Sequence, residues 1–148
     1  MRDMDADEGF ETGPLRTMYH LEASLRRFPG LHLRCSEGPV ADSRSATVDG
    51  ESGLELPGLP VVPLQPEDWW HRPVADWMAR QLSRCMQTCE RDPDCYPWVL
   101  TGQVAGRGPD CEPLIANVAP IARLAPELLV EAEARYRAHF DSDAGPGG

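Results

Sequence analysis

The apolar patterns of this 148-residue chain predict an α+β fold, in which a small, mostly antiparallel sheet packs with three helices in a single domain. Three segments, near residues 16–28, 73–89 and 126–140, repeat apolar side chains at helical spacing. Residues 31–35 alternate apolar and polar side chains, as a strand with one buried face does. Two more apolar runs, near residues 98–123, flank a turn rich in glycine and proline and are typical of a hairpin.

The domain is expected to span residues 14–141, a length that can bury a core. Residues 1–13 are acidic and without pattern, and residues 142–148 are rich in glycine. Both ends are therefore predicted to be disordered tails.

The first helix is predicted over Arg16–Phe28 and ends at Pro29-Gly30, because neither residue favours its continuation. Alternation along the following strand predicts that Leu31, Leu33 and Cys35 face the core. The polar side chains on the opposite face are His32 and Arg34.

Residues 36–53 are rich in serine, glycine and aspartate and are expected to form a long surface loop, of the kind that is mobile or functional. Three prolines interrupt the apolar run that follows. Because proline has no N–H to donate, we expect only one short edge strand, near Leu59–Leu64.

The second helix is predicted to begin at Pro73, a position that proline favours, and to end at the Arg91–Asp94 segment. Arg80, Gln81 and Arg84 are expected outside its apolar stripe. The stripe itself contains Val74, Trp77, Met78, Leu82, Cys85, Met86 and Cys89. The hairpin after this helix has one strand near Trp98–Gly106, whose first residue is expected in the core, and a return strand or pair of short strands over Pro113–Arg123. The last helix begins at Pro126, and its inner side contains Leu128, Leu129, Ala132, Tyr136 and Phe140.

The net charge of −10 argues against nucleic acids and anionic membranes as partners, because both require clustered cations. No segment approaches the run of about 20 apolar residues that spans a bilayer, and the acidic start is unlike a secretory signal. The five cysteines are odd in number and lack the spacing of a disulfide framework. These features predict reduced thiols and a cytoplasmic protein.

Four segments resemble a family of short actinobacterial proteins classed as a domain of unknown function. They are Phe28–Pro39, Glu51–Leu59, Trp69–Leu82 and Val99–Leu114. The resemblance covers about residues 15–140 and implies a bacterial cytosolic protein with a single domain, but no particular activity. The family commonly has an aromatic residue where Cys35 stands and Asn or Gly where Cys111 stands, which implies that neither thiol is essential.

The first candidate site is the turn from Arg107 to Glu112. Asp110 and Glu112 are two residues apart, so on an extended backbone both carboxylates point the same way and suit acid–base catalysis or metal binding. The alternative is a plain hairpin turn in which Asp110 caps backbone amides and Glu112 is solvated. A phosphate-binding loop is not indicated, because no helix begins after the glycines.

The second candidate site is the polar strand face with His32 and Arg34, since a guanidinium binds phosphate or carboxylate through paired hydrogen bonds. Its alternative is a surface ion pair. Trp69 and Trp70 cannot both face inward on a regular strand, so one of them is expected to line a ligand groove or a partner surface.

No metal site and no cofactor is predicted. Cys85, Cys89 and Cys95 lack the paired spacing and the nearby histidine of a structural zinc site. The first two also complete the apolar face of a helix, which favours core packing.

Two functions of different classes remain open. One is a pocket that binds or converts a small molecule, built from Arg34, Trp69 or Trp70, and the Asp110/Glu112 turn. The other is a non-catalytic module that docks a protein through Trp69-Trp70 and the proline-rich segment 57–66.

The order of Arg34, Gly58–Val62 and Asp110-x-Glu112 also resembles small ADP-ribosyltransferase-like domains. That resemblance implies that Arg34 holds NAD and that Glu112 orients the ribose hydroxyl. The serine or threonine motif of those domains is not evident in this chain.

Overall fold

The computed structural model describes residues 9–44 and 47–140. These residues form a single α+β domain with a five-stranded antiparallel sheet, which confirms the predicted fold class. The helices are α1 (Met18–Arg27), α2 (Pro39–Ser43), α3 (Val74–Cys89) and α4 (Pro126–His139). The strands are β1 (His32–Ser36), β2 (Leu59–Pro60), β3 (Val62–Pro63), β4 (Tyr96–Arg107) and β5 (Pro113–Arg123).

The short helix α2 was not predicted, because it lies inside the stretch 36–53 that we expected to be a loop. Pro39 is its first residue, where a fixed helical φ is an advantage and a missing N–H does no harm. The hydroxyl of Ser43 donates to the carbonyl of Val40 at 2.7 Å and supports the turn. Further along, Val48 and Glu55 form an isolated antiparallel bridge, so the described part of this stretch is more regular than its composition indicated.

The two ends of the sheet meet. The strand order is β2-β5-β4-β1-β3, and only Val61 separates β2 from β3 in the chain. Leu59 and Pro60 pair with β5, whereas Val62 and Pro63 pair with β1. The single edge strand that we predicted is therefore two short strands, and together they close a strongly curved sheet.

The β4–β5 hairpin contributes to this curvature. Its register shifts at three places, and such bulges bend and twist a strand pair. Asn117, beside one of the shifts, has a left-handed backbone with a φ of 54°. A Cβ on Gly58 would lie 2.7 Å from the backbone of Ile115, so only glycine allows the chain to approach β5 this closely before it forms β2.

Side chains pack on both faces of the sheet. On one face, Leu33 and Val99 contact buried residues of the three long helices. Trp98 and Leu100 belong to a second core, which also contains Val61 from the closing segment and Ile115 from β5. The curled sheet wraps around this second core, and the predicted burial of Trp77 and Trp98 is confirmed.

Residues 10–12, which precede the predicted domain boundary at residue 14, contact the sheet and its second core. The N–H of Glu11 donates to the carbonyl of Pro120 at 3.1 Å, and that of Thr12 donates to Ile121 at 2.8 Å. The Phe10 ring packs edge-on against Trp98, with 5.9 Å between ring centres. The remaining parts of the two predicted tails, residues 1–8 and 142–148, lie outside the described residues.

One residue of α3 was assigned to the wrong side. Gln81 is buried rather than outside the apolar stripe, and its Nε2 donates to the carbonyl of Pro63 at 2.8 Å. Because Pro63 belongs to β3, this bond joins the helix to the closing segment of the sheet. Among the helices of the described residues, none is long and apolar enough to cross a membrane.

Candidate functional site

A pocket of about 310 Å³ opens between β1, α3 and the tip of the β4–β5 hairpin, and we call it the hairpin pocket. Its volume is at the lower end of the range for small-molecule sites. Four charged side chains line it, namely Arg34, Arg84, Asp110 and Glu112. Two cysteines, Cys35 and Cys85, border it as well. Three of the predicted site residues are thus brought together from distant parts of the chain.

Arg34 is held by the fold. Its Nε and Nη2 donate to the two carboxylate oxygens of Asp42 at 2.7 and 3.3 Å, and its Nη1 donates to the carbonyl of Pro60 at 2.9 Å. The hydroxyl of Ser36 donates to Asp42 at 2.8 Å and accepts the indole N–H of Trp98 at 3.0 Å. The charge of Arg34 is therefore matched by Asp42, and one N–H on each terminal nitrogen remains for a ligand.

At the hairpin tip, Asp110 and Glu112 have the opposite roles to those expected for a plain hairpin turn. Glu112, not Asp110, caps the turn: its Oε1 accepts the backbone N–H of Asp110 at 2.8 Å. The N–H of Gly108 donates to the carbonyl of Glu112 at 2.8 Å, and a Cβ on Gly108 would overlap the Glu112 carboxylate. The Asp110 side chain is exposed and has no hydrogen-bond or ion-pair partner among the described residues.

Arg84 is a site residue that sequence reasoning missed. It was correctly expected outside the apolar stripe of α3, but nothing in its spacing indicated that this side of the helix faces the hairpin tip. Its side chain is exposed and, within the part of the chain that the structure describes, has neither a hydrogen bond nor an ion pair. Arg84 and Asp110 are therefore two opposite, unpaired charges in one pocket.

Cys35 and Cys89 form a disulfide that ties β1 to the last residue of α3, with 5.9 Å between the Cα atoms. The prediction of reduced thiols is wrong for this pair. The two cysteines are 54 residues apart, and cysteine spacing indicates disulfides only where it follows a recognised framework. Nothing in the sequence therefore indicated this bond. The prediction is confirmed for the remaining cysteines of the chain, which are Cys85, Cys95 and Cys111.

Two of the free thiols remain protonated at neutral pH. Burial raises the pKa of Cys85 to about 12. Partial burial, followed by a hydrogen bond with Asp92, raises the pKa of Cys95. Neither thiol is therefore prepared to act as a nucleophile.

His32 and Arg107 do not line the hairpin pocket. The Nδ1 of His32 donates to the carbonyl of Gly30 at 2.6 Å, and Arg107 donates to the carbonyl of Cys111 at 3.3 Å. Burial lowers the pKa of His32, and the positive charge of Arg107 lowers it further. The two side chains thus influence one another beside the pocket rather than in it.

Trp69 and Trp70 lie in a different part of the domain. With Trp77 they form a tryptophan cluster whose ring centres are 5.1–6.1 Å apart. Trp70 is half-buried and its Nε1 donates to the carbonyl of Pro73 at 3.1 Å, whereas Trp69 is 61% exposed. The structure does not combine these indoles with Arg34 in one site.

A buried charge cluster between α3 and α4 was also missed. Asp76 is 1% exposed and accepts a hydrogen bond from Nε of Arg135 at 2.7 Å. Arg72 and His139 lie 3.5 and 3.4 Å from its other oxygen. The only signal in the sequence was an acid in the first turn of a helix, which normally indicates a favourable dipole interaction alone.

The described residues include a surface group of acids with metal-ligand spacing. Glu37, Asp92 and Asp94 each bring one oxygen within 4.8 Å of the others. Exposed acids often cluster without an ion, and this group lies apart from the hairpin pocket. The absence of a metal site stays a prediction.

The model of a family of unknown function, DUF6098, matches residues 9–145. The chain belongs to this family. DUF6098 thus covers the whole described domain, and the predicted resemblance to an uncharacterised family is confirmed, while an actinobacterial origin stays a prediction. Comparison with curated proteins and with solved structures finds no match.

Proposed function

We propose that the protein binds a small molecule in the hairpin pocket, and that this ligand has both an acidic and a basic group. The observation that carries the proposal is the pair Arg84 and Asp110, which line the same pocket with no intramolecular partner among the described residues. A free guanidinium pairs with carboxylate or phosphate, and a free carboxylate pairs with an ammonium group. A zwitterionic ligand satisfies both at once.

The other two charged residues have supporting roles in this proposal. Arg34 offers its two remaining N–H groups from a fixed position, because Asp42 holds it. Glu112 orients Asp110 by accepting its backbone N–H. If the pocket performs acid–base chemistry, Asp110 is the catalytic group, since its carboxylate is free.

We further propose a cytoplasmic location without nucleic-acid or membrane partners. The net charge of −10 supports the part about partners, because it disfavours binding to polyanions. The cytoplasmic location rests on the resemblance to a family of bacterial cytosolic proteins.

Isothermal calorimetry with amino acids, dicarboxylates and short peptides tests the proposal. Arg84→Ala and Asp110→Ala should each weaken binding by about tenfold or more, the effect of losing one charge-assisted hydrogen bond. Arg91→Ala and Asp68→Ala are matched controls, because both residues are exposed and lie outside the pocket. Equal binding by the wild type and all four variants would contradict the proposal.

NAD belongs among the probes because of the resemblance to ADP-ribosyltransferase-like domains. The support is that Arg34 and Glu112 line one pocket. Heat of NAD binding that disappears in Glu112→Gln favours that activity, whereas no heat at millimolar NAD eliminates it.

Protein docking through the tryptophan cluster is the second candidate function. It is favoured by the 61% exposure of Trp69, since exposed tryptophans often dominate interfaces. Trp69→Ala separates the two candidates. It should leave calorimetric binding in the hairpin pocket unchanged and abolish crosslinking of a protein partner in cells.

A further inference from the structure

We infer that the hairpin pocket presents a low-molecular-weight thiol with carboxylate and ammonium groups to the sulfur of Cys35, and that the Cys35–Cys89 disulfide is reduced by it. The inference rests on the proposed function, because it names the class of ligand that the same pocket takes.

The two cysteines of the disulfide differ in exposure, since Cys35 is partly exposed and Cys89 is buried. Cys35 lines the hairpin pocket and also a second depression of about 550 Å³, which Glu37 and Cys95 line as well. Cys89 is 7% exposed and lines neither. Because exchange requires a thiolate to reach one sulfur while the other leaves, Cys35 is the sulfur attacked and Cys89 is the leaving group.

The charges around Cys35 match such a thiol. Arg34 precedes Cys35 on β1, and Arg84 lies across the pocket on α3. The unpaired guanidinium of Arg84 favours a thiolate and a carboxylate in this space. Arg34, whose charge is matched by Asp42, adds only its two remaining N–H groups. Asp110, at the hairpin tip, is the partner for the ammonium group of the same molecule.

The internal thiols do not replace an external one. Cys85 shares the pocket with Cys35 but stays protonated, since burial raises its pKa to about 12. The pKa of Cys95, in the second depression, is also raised. An attacking thiolate therefore has to come from solution.

The exchange proceeds in two steps. In the first, the external thiolate bonds to Sγ of Cys35, the Cys35–Cys89 bond breaks, and its electron pair goes to the Cys89 sulfur, which takes up a proton. In the second, another thiolate attacks the mixed disulfide, forms the symmetric external disulfide and releases Cys35 as a thiol. Two external thiols are oxidised and one protein disulfide is reduced.

Reduction would alter the ligand's own site, because the disulfide joins β1 to α3, two walls of the hairpin pocket. In a cytoplasm, where lasting disulfides are rare, a bond in this position acts as a sensor of the thiol pool.

The experiment measures how fast oxidised full-length protein loses the disulfide to glutathione and to the uncharged thiol 2-mercaptoethanol, at equal thiolate concentrations. Samples are quenched with an alkylating agent and analysed by intact mass and peptide mapping. In the wild type, glutathione should react faster. Arg84→Ala should lower the glutathione-to-mercaptoethanol rate ratio by about tenfold, the effect of one charge-assisted contact. The trapped adduct should be on Cys35, with the alkyl group on Cys89.

Arg91→Ala is the matched control, because it removes an equal charge two residues after Cys89 but outside the pocket, and it should leave the rate ratio unchanged. A ratio that Arg84→Ala does not alter, or an adduct on Cys89, overturns the inference. Calorimetry with S-methylglutathione, which has no thiol, separates the two proposals. Suppose that S-methylglutathione binds the wild type but not Arg84→Ala, while both proteins have the same glutathione-to-mercaptoethanol rate ratio. The binding proposal is then supported, and the inference of thiol delivery to Cys35 is wrong. If S-methylglutathione does not bind the wild type and Arg84→Ala leaves the rate ratio unchanged, both the binding proposal and the inference of thiol delivery are wrong.

Discussion

Arg34 donates two hydrogen bonds to the carboxylate of Asp42, at 2.7 and 3.3 Å, and the two side chains are only 17% and 12% exposed. The pair connects β1 to α2, the short helix that was not predicted because the composition of residues 36–53 is typical of a loop. Its effect on the hairpin pocket is to neutralise one arginine and leave Arg84 as the unpaired cation. Arg34 should therefore matter chiefly for stability, and Arg84 chiefly for binding.

Removing one member of this pair should destabilise the fold. We expect Arg34→Ala and Asp42→Ala each to lower the free energy of unfolding by about 3 kcal/mol, because each leaves a poorly solvated charge without its partner. Urea denaturation measures the change. The double variant should lose less than the sum of the two, and Arg84→Ala, as control, should lose less than about 0.5 kcal/mol. Additive losses would show that the two side chains do not interact.

Loss of the disulfide should have a large effect. Cys89→Ser is expected to lower the free energy of unfolding by about 4 kcal/mol, the chain-entropy value for cross-linked residues 54 apart. Guanidinium titrations of the variant, and of wild type with a reducing agent, should agree. Cys111→Ser, which changes a free thiol, should not shift the midpoint; an equal shift in both variants would show that the pairing is different.

Replacing Cys111 by glycine should stabilise the protein. Cys111 has a φ of 65° in the hairpin turn, a left-handed backbone that favours glycine or asparagine. Relief of this strain is expected to contribute about 1 kcal/mol, seen as a higher melting temperature. Cys111→Ala also removes the thiol but keeps the strain, so a gain from alanine as large as that from glycine would refute the explanation.

The segment 9–13 should be needed for full stability. Phe10→Ala removes the ring that packs against Trp98 and should lower the free energy of unfolding by about 2 kcal/mol, less than for a fully buried ring. Deleting residues 1–13 should reduce the melting temperature further, because the bonds of Glu11 and Thr12 to β5 are lost as well. Deletion of residues 1–8 alone is the control, with no change expected. A truncation at residue 14 that melts like the wild type would contradict this.

His32 should make stability depend on pH. Burial lowers the pKa of His32 below its usual 6.5, and Arg107 lowers it further, against the raising effect of the Gly30 carbonyl. The unfolded chain therefore binds the proton more tightly than the folded one. The contribution of His32 to stability is thus fully present above about pH 6.5, its unfolded pKa, and is lost as pH falls below 6.5 and through the lower pKa of the folded state. His32→Gln should flatten the pH dependence of the melting temperature around pH 6. An unchanged slope would mean that His32 titrates alike in both states.

Local periodicity was sufficient to predict the three long helices and the longer strands. The spacing of apolar residues located α1, α3 and α4, and two apolar runs on either side of a glycine-rich turn located β4 and β5. These patterns arise because one face of each helix or strand is buried, and that face is visible in the spacing of apolar residues that are close in sequence. Pro60 and Pro63 also indicated correctly that the chain between them stays at a sheet edge.

Features that depend on distant residues could not be predicted in this way. Alternation places Cys35 on a face but does not reveal that Cys89 lies opposite. Gln81 was predicted to be on the surface because it is polar. Its hydrogen-bond partner, the carbonyl of Pro63, lies beside it only once the closing segment of the sheet has folded. The same holds for the candidate site. Arg34, Asp110 and Glu112 were predicted from their chemistry, whereas Arg84 lines the pocket only because of the way α3 packs against the sheet.

The continuity of β2 with β3 has a consequence for the protein in a crowded solution. A sheet usually ends in strands whose free N–H and C=O groups offer a template to other chains, and this leads to aggregation. Among the described strands, the terminal positions are filled by two neighbouring two-residue strands of one segment, each already paired on its inner side. Pro60 and Pro63 carry no N–H to offer. These two short strands thereby leave little of their own edge for another β-strand to pair with.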